Sequence, residues 1–247
     1  MFYSSFNLAV LLLAIFSVRA NQLRQEHTDI ELESVYTTAI SLGRCALSSS
    51  NFIIQAGSKA TFDGAATTIL VGSVGVSPGT TITGNVVLKS GSLQRNTASA
   101  INCAADRKTA YGRAKAAVCP AAHRQSLGEI GGHTYTPGVY CTGPGYITFK
   151  AGTVTLDGQG NANAVWIFQM ATSLITSPST SFILKNGAQA KNVYWQVGSS
   201  ATIGKSSSFV GTILAYGGIS FGTTVHFKGR AFAGTAVTNA GGSSLTI

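Results

Sequence analysis

The sequence predicts a mainly β protein built as a solenoid of short strands, with one long α-helix. Three observations carry this. Short apolar runs alternate with Gly, Asn, Ser and Pro over most of the chain, as strands and tight turns do. One Ala-rich stretch breaks that pattern with helical spacing. Near the C-terminus the strands recur, with Thr202, Ser220 and Thr238 spaced 18 residues apart, a period too short for helical repeats and suited to a coil of three short strands and three turns.

The elements follow in chain order. "MFYSSFNLAVLLLAIFSVRA" has an apolar run from about Leu8 to Val18 closed by Val18-Arg19-Ala20, the pattern of a secretory leader over residues 1–20, too short for a comfortable membrane span. Residues 21–41 hold half the acids, Glu26, Asp29, Glu31 and Glu33, and read as a solvated arm. From Leu42 to Leu93 strand signals recur, as in "NFIIQAGSKATF", "ILVGSVGVSPGTTITG" and "NVVLKSGSL". "NTASAINCAADRKTAYGRAKAAVC" predicts a helix over about 96–119: Ala98, Ile101 and Ala105 recur at helical spacing, Asn96 or Thr97 can cap its start, and Pro120 follows its end. Beyond "GGHTYTPGVY" the chain returns to strands.

The polar side chains exclude more than they suggest. Net charge is +9, from 17 Lys+Arg against 8 Asp+Glu, but the bases are scattered and form no dense run, so no nucleic-acid surface is expected. The excess reflects missing acids: no carboxylate follows Asp157. Outside the arm only Asp63, Asp106, Glu129 and Asp157 remain, and no spacing pairs them for acid–base work. Ser is abundant throughout and no one Ser is singled out as a nucleophile, and His27, His123, His133 and His226 stand apart. An enzyme is not expected. Cys45, Cys103, Cys119 and Cys141 form an even set with no C-x-x-C pair. In a secreted chain this predicts two disulfides in one of three connectivities. A zinc site would have to use Cys119 with His123, the one close Cys/His spacing. No metal or cofactor is expected.

In the repeat, alternation along a strand turns Ala201/Ile203, Ile219/Phe221 and Val237 inward and Thr202, Ser220 and Thr238 outward. Neighbouring strands lie about 4.8 Å apart, so the stretch 199–227 builds a flat face of small hydroxyls, with Ser200 beside Thr202. A second candidate face centres on Ser58, Thr61 and Thr81. Asp157-Gly158 and Asn186-Gly187 read as turns, Pro78 and Pro137 as corners. Gln169 and Gln196, set in apolar strands, are expected to cap backbone groups inside the coil. Trp166, Trp195 and Tyr194 read as core.

Five stretches, "GSVGVSPGTTITG" (72–84), "IGGHTYTPGVY" (130–140), "TVTLDGQGNANAVWIFQM" (153–170), "NGAQAKNVYWQVGSSATIG" (186–204) and "FVGTILAYGGISF" (209–221), resemble in collinear order the ice-binding proteins of polar microbes, algae and snow-mould fungi. The resemblance covers residues 42–247. It implies an irregular right-handed β-helix of triangular section with a long helix packed alongside, and a secreted, monomeric protein whose partner is the surface of an ice crystal. Ice-contact residues vary within that family, so Thr202, Ser220, Thr238 and Ser200 rest on the repeat rather than on a motif. The alternative reading is an extracellular solenoid adhesin or glycan-binding matrix protein, which calls for aromatics partnered by amides or carboxylates.

Overall fold

The computed structural model describes residues 17–22, 24, 40–46, 51–64, 66, 68–125 and 128–247. The chain divides into Met1–Thr38 and Ala39–Ile247. In the first unit residues 17–22 are helical; the rest of the expected leader and most of the arm, over 1–20 and 21–41, lie outside the described residues.

The second unit is mainly β, and every strand pairing among its described residues is parallel. Among the described residues the strands form sheets of twelve, seven and three. The chain passes from sheet to sheet: Val193–Val197 lies in the large sheet, Ala201–Ile203 in the seven-stranded one, Ser208–Ala215 in the large one again, and Ile219–Phe221 beside Ala201–Ile203. Parallel pairing in register stacks like on like. Tyr140 pairs with Phe168 and Phe168 with Trp195, and their rings stack at centroid distances of 5.5 and 4.2 Å. Trp166 and Trp195 are fully buried, each donating its indole N–H to a carbonyl, of Tyr135 at 3.1 Å and of Val210 at 2.9 Å, so neither leaves an unmet donor in the core.

Strand composition matches surroundings. "FIIQA" (Phe52–Ala56) and "VYWQV" (Val193–Val197) are buried at every position, as expected of strands covered on both faces. "ATI" and "ISF" are buried, exposed, buried, as expected of strands with one face in solvent.

The large sheet is covered by the helix, α1 (Ala98–Ala116). Thr97 caps it, its hydroxyl accepting from the Ala100 N–H at 3.3 Å. The helix is shorter than the expected 96–119. Asn96 sits at φ +51°, outside helical space, and Ala117 turns to ψ 133°, freeing Cys119 to bond Cys141. The buried stripe is also not the one its spacing suggested. Ala100, Cys103, Arg107, Ala110 and Ala114 face inward, while Ile101 is exposed; Cys103, on the inward side, is bonded to Cys45. These two bonds select one of the three connectivities and leave Cys119 unable to ligate zinc with His123. Gln169 and Gln196 turn outward to the helix: Gln169 Nε2 donates to the carbonyls of Ala114 and Ala117, both at 2.7 Å, and Gln196 Nε2 to Tyr111 Oη at 3.1 Å.

Candidate functional site

The seven-stranded sheet runs, in spatial order, Ile147–Phe149, Leu174–Thr176, Ala201–Ile203, Ile219–Phe221, Ala236–Asn239, Lys59–Phe62 and Thr81–Gly84. Its register aligns one continuous row across all seven strands. Thr148 pairs with Ile175, Ile175 with Thr202, Thr202 with Ser220, and Ser220 with Thr238. Thr238 then pairs with Thr61, and Thr61 with Thr83. The three residues singled out by the 18-residue period therefore lie side by side, and the second candidate face, around Thr61, is the continuation of the first.

Inward neighbours hold the row in place. Ala201, Ile203, Ile219, Phe221, Val237, Ala60 and Phe62 are buried in the core. Above them Thr202, Ser220 and Thr83 are exposed and Thr238 and Thr61 half-buried. Thr238 donates its hydroxyl to Ser220 Oγ at 3.0 Å, which orients both groups along the row. Ser200 sits at the exposed corner beside it, its Oγ accepting the Gly218 N–H at 3.2 Å. Gly218 and Ala236 follow in that flank and keep it low beside the hydroxyls of Ser220 and Thr238, and Lys59 comes next. Thr81 is exposed and pairs with Lys59, the cation nearest the row in its own strands; Ser58 occupies the corner before it.

The row ends where charge begins. Thr148 is buried and donates to Glu129 Oε2 at 2.9 Å. Burial would raise the Glu129 carboxyl, but the N–H groups of Lys150 and Gly131 and the Thr148 hydroxyl outweigh it and hold the carboxyl below its usual range. The other acids outside the arm are also structural or isolated. Asp106 is held low by its hydrogen bonds from Arg44, whose guanidinium lies at 3.1 Å. Asp157 accepts from the Gln159 N–H and from Asn186 Nδ2, joining the two turns read from sequence. Asp63 is exposed at a strand end. His123 stacks on Tyr140 at 4.4 Å. Among the described residues no group of three or more His, Cys, Asp or Glu could hold a metal.

Sequence reasoning missed Ile175, which is 45% exposed, and Thr83. The signal for Ile175 was present: Leu174 and Ile175 lie 27 residues before Ala201 and Thr202, the offset at which "FQMATSLIT" resembles "WQVGSSATI". Thr83 had no such signal, because its strand enters the sheet from the opposite end of the chain.

Fold and surface together define a parallel-sheet scaffold that presents a flat, uncharged row of hydroxyls and methyls. The chain belongs to the ice-binding-like family, whose profile matches residues 54–241. It is 36% identical over 187 residues to an ice-binding protein of Nostoc sp., covering 74% of this chain. The match spans 66% of that relative's length, just under two thirds, and 47% of the ice-binding protein of Flavobacterium frigoris. Among solved structures, an ice-binding protein from an Antarctic biological consortium superposes with a TM-score of 0.77 at 36% identity, over 84% of this chain and 91% of that one. The ice-binding protein of the Antarctic ascomycete Antarctomyces psychrotrophicus gives 0.76 at 34% identity, over 85% and 98%.

Proposed function

We propose that this chain is a secreted ice-binding protein, an irregular right-handed β-helix of triangular section with the long helix alongside, which adsorbs to ice through the row Ile175, Thr202, Ser220, Thr238, Thr61 and Thr83, flanked by Ser200. The domain spans residues 42–247, follows a leader (1–20) and an acidic arm (21–41), and acts as a monomer. The observation behind this reading is the register, which aligns hydroxyls and methyls without a charged group in the row.

Charged groups hold water in orientations that a crystal cannot accept. Methyls beside hydroxyls instead let surface water settle into an ice-like layer that the hydroxyls anchor. Each contact is weak, but a rigid array orders nothing further on binding, so little entropy is lost. Adsorbed molecules force the ice front to curve between them, which lowers the local freezing point and slows recrystallisation.

The test is single-crystal growth in dilute purified protein, with thermal hysteresis measured beside melting temperature. The parent chain shapes the crystal without metal or cofactor. Thr202→Tyr and Ser220→Tyr each lose most hysteresis at a melting temperature changed by the ~0.5 kcal/mol usual for surface substitutions. Unshaped crystals with the parent chain, or full hysteresis in both variants, would overturn the proposal.

A further inference from the structure

We infer that the cleft beside the last turns of α1 is a binding site for a neutral saccharide. This cleft, of ≈ 470 Å³, is lined by Tyr111, Tyr216, Gln169, Gln196, Thr142 and Lys115, among others, and includes none of the hydroxyl row. Its size falls within the ~300–1,000 Å³ usual for small-molecule sites.

The lining defines the ligand by chemistry. Tyr111, on the helix, and Tyr216, at a corner of the large sheet, lie 6.1 Å apart with planes tilted by 47°, and Tyr216 is 70% exposed. Two rings in contact form one aromatic surface, which suits the C–H face of a sugar ring. Polar groups lie in the same lining. Gln169 spends its amide nitrogen on the carbonyls of Ala114 and Ala117, and Gln196 spends its own on Tyr111. Both amide oxygens, and the Tyr111 hydroxyl proton, are thereby left to meet ligand hydroxyls.

Charge decides against ionic ligands. No carboxylate lines the cleft, so a cation has no counter-charge; Lys115 is its one cation, too little to define an anion site. The walls are also held before any ligand arrives. The Cys119–Cys141 disulfide ties the chain just beyond the helix to Cys141 in the cleft wall, and the Gln196–Tyr111 hydrogen bond fixes one ring. Such preorganisation lowers the entropy lost on binding.

The experiment is an NMR titration of the 15N-labelled chain with N-acetylglucosamine, methyl α-mannoside and maltotriose, and separately with inorganic phosphate. At millimolar sugar, at least one saccharide shifts the side-chain amides of Gln169 and Gln196. Tyr216→Ala weakens that binding by about tenfold or more, equivalent to one strong contact, and leaves ice shaping intact, which keeps this site distinct from the hydroxyl row. No shift with any sugar, binding that survives Tyr216→Ala undiminished, or a response to phosphate alone would overturn the proposal.

Discussion

Tyr135 shows how a single buried hydroxyl sets a pH limit. Its ring is 3% exposed and packs edge-on against Tyr140 and Phe168, at 4.9 and 5.3 Å, while its Oη finds no protein partner. Burial, then the charges of Tyr140 and Glu129, push its pKa up to about 12. An unfolded tyrosine ionises near 10. The folded state thus holds its proton longer than the unfolded one: the stability tied to the neutral ring is complete below about pH 10 and disappears as pH rises through about 12. That loss amounts to roughly 2 kcal/mol. Tyr135→Phe should therefore flatten the alkaline decline and, by removing an orphaned hydroxyl, raise stability at neutral pH by about 1 kcal/mol. Melts at neutral and alkaline pH check both effects; a neutral-pH loss would show that the hydroxyl has a partner. Flanked by Thr134 and Thr136, the tyrosine shows neither its burial nor its unmet hydroxyl in the sequence, since both depend on which distant groups reach it.

At the scale of elements, close stacking of corners sets the strictest demands. A Cβ added to Gly57 would lie 1.9 Å from the Gly234 carbonyl oxygen, and one on Gly234 would lie 1.8 Å from that of Tyr216. The corner carries the hydrogen bonds that link neighbouring passes, Ser58 N–H to Thr235 O at 2.9 Å and Gly79 N–H to Gly57 O at 2.9 Å. Backbone cannot give way there as a side chain can. Gly57→Ala should destabilise by about 2–3 kcal/mol, read as a fall of several degrees in melting temperature, whereas Gly112→Ala, where nothing lies within 4 Å, should leave stability equal or higher because alanine favours helix. The helix itself was legible from its alanines, its Thr97 cap and the following Pro120. Its orientation was not. The stripe Ala98/Ile101/Ala105 is as periodic as the one that packs, and the choice lies in contacts with strands and with Cys45, which is 58 residues from its partner Cys103.

At the scale of the molecule, the chain's beginning is built into its end. Phe52–Ala56 pairs with His226–Ala233, and Lys59–Phe62 with Ala236–Asn239. Arg230, buried at this junction, donates to the Phe52 carbonyl and to Asn51 Oδ1, and burial lowers its pKa to about 10. Thr61 consequently extends a row whose other members come from far along the chain. Thr61→Tyr should cut thermal hysteresis as deeply as Ser220→Tyr at an unchanged melting temperature; retained activity would confine the contact to the C-terminal strands.

This junction separates what can be read from what must be folded. Local composition and periodicity determine the strands, the helix, the corners and the outward turn of Thr202, Ser220 and Thr238, because alternation and an 18-residue period act between near neighbours and leave their mark in residue order. The disulfide pairing, the buried side of the helix, the role of Gln169 and Gln196, and the joining of Thr61 and Thr83 to the row were decided only in three dimensions. Parallel pairing matches strands by the hydrophobic faces they bury together, and two strands can meet in register however many residues separate them. No spacing along the chain records such a meeting.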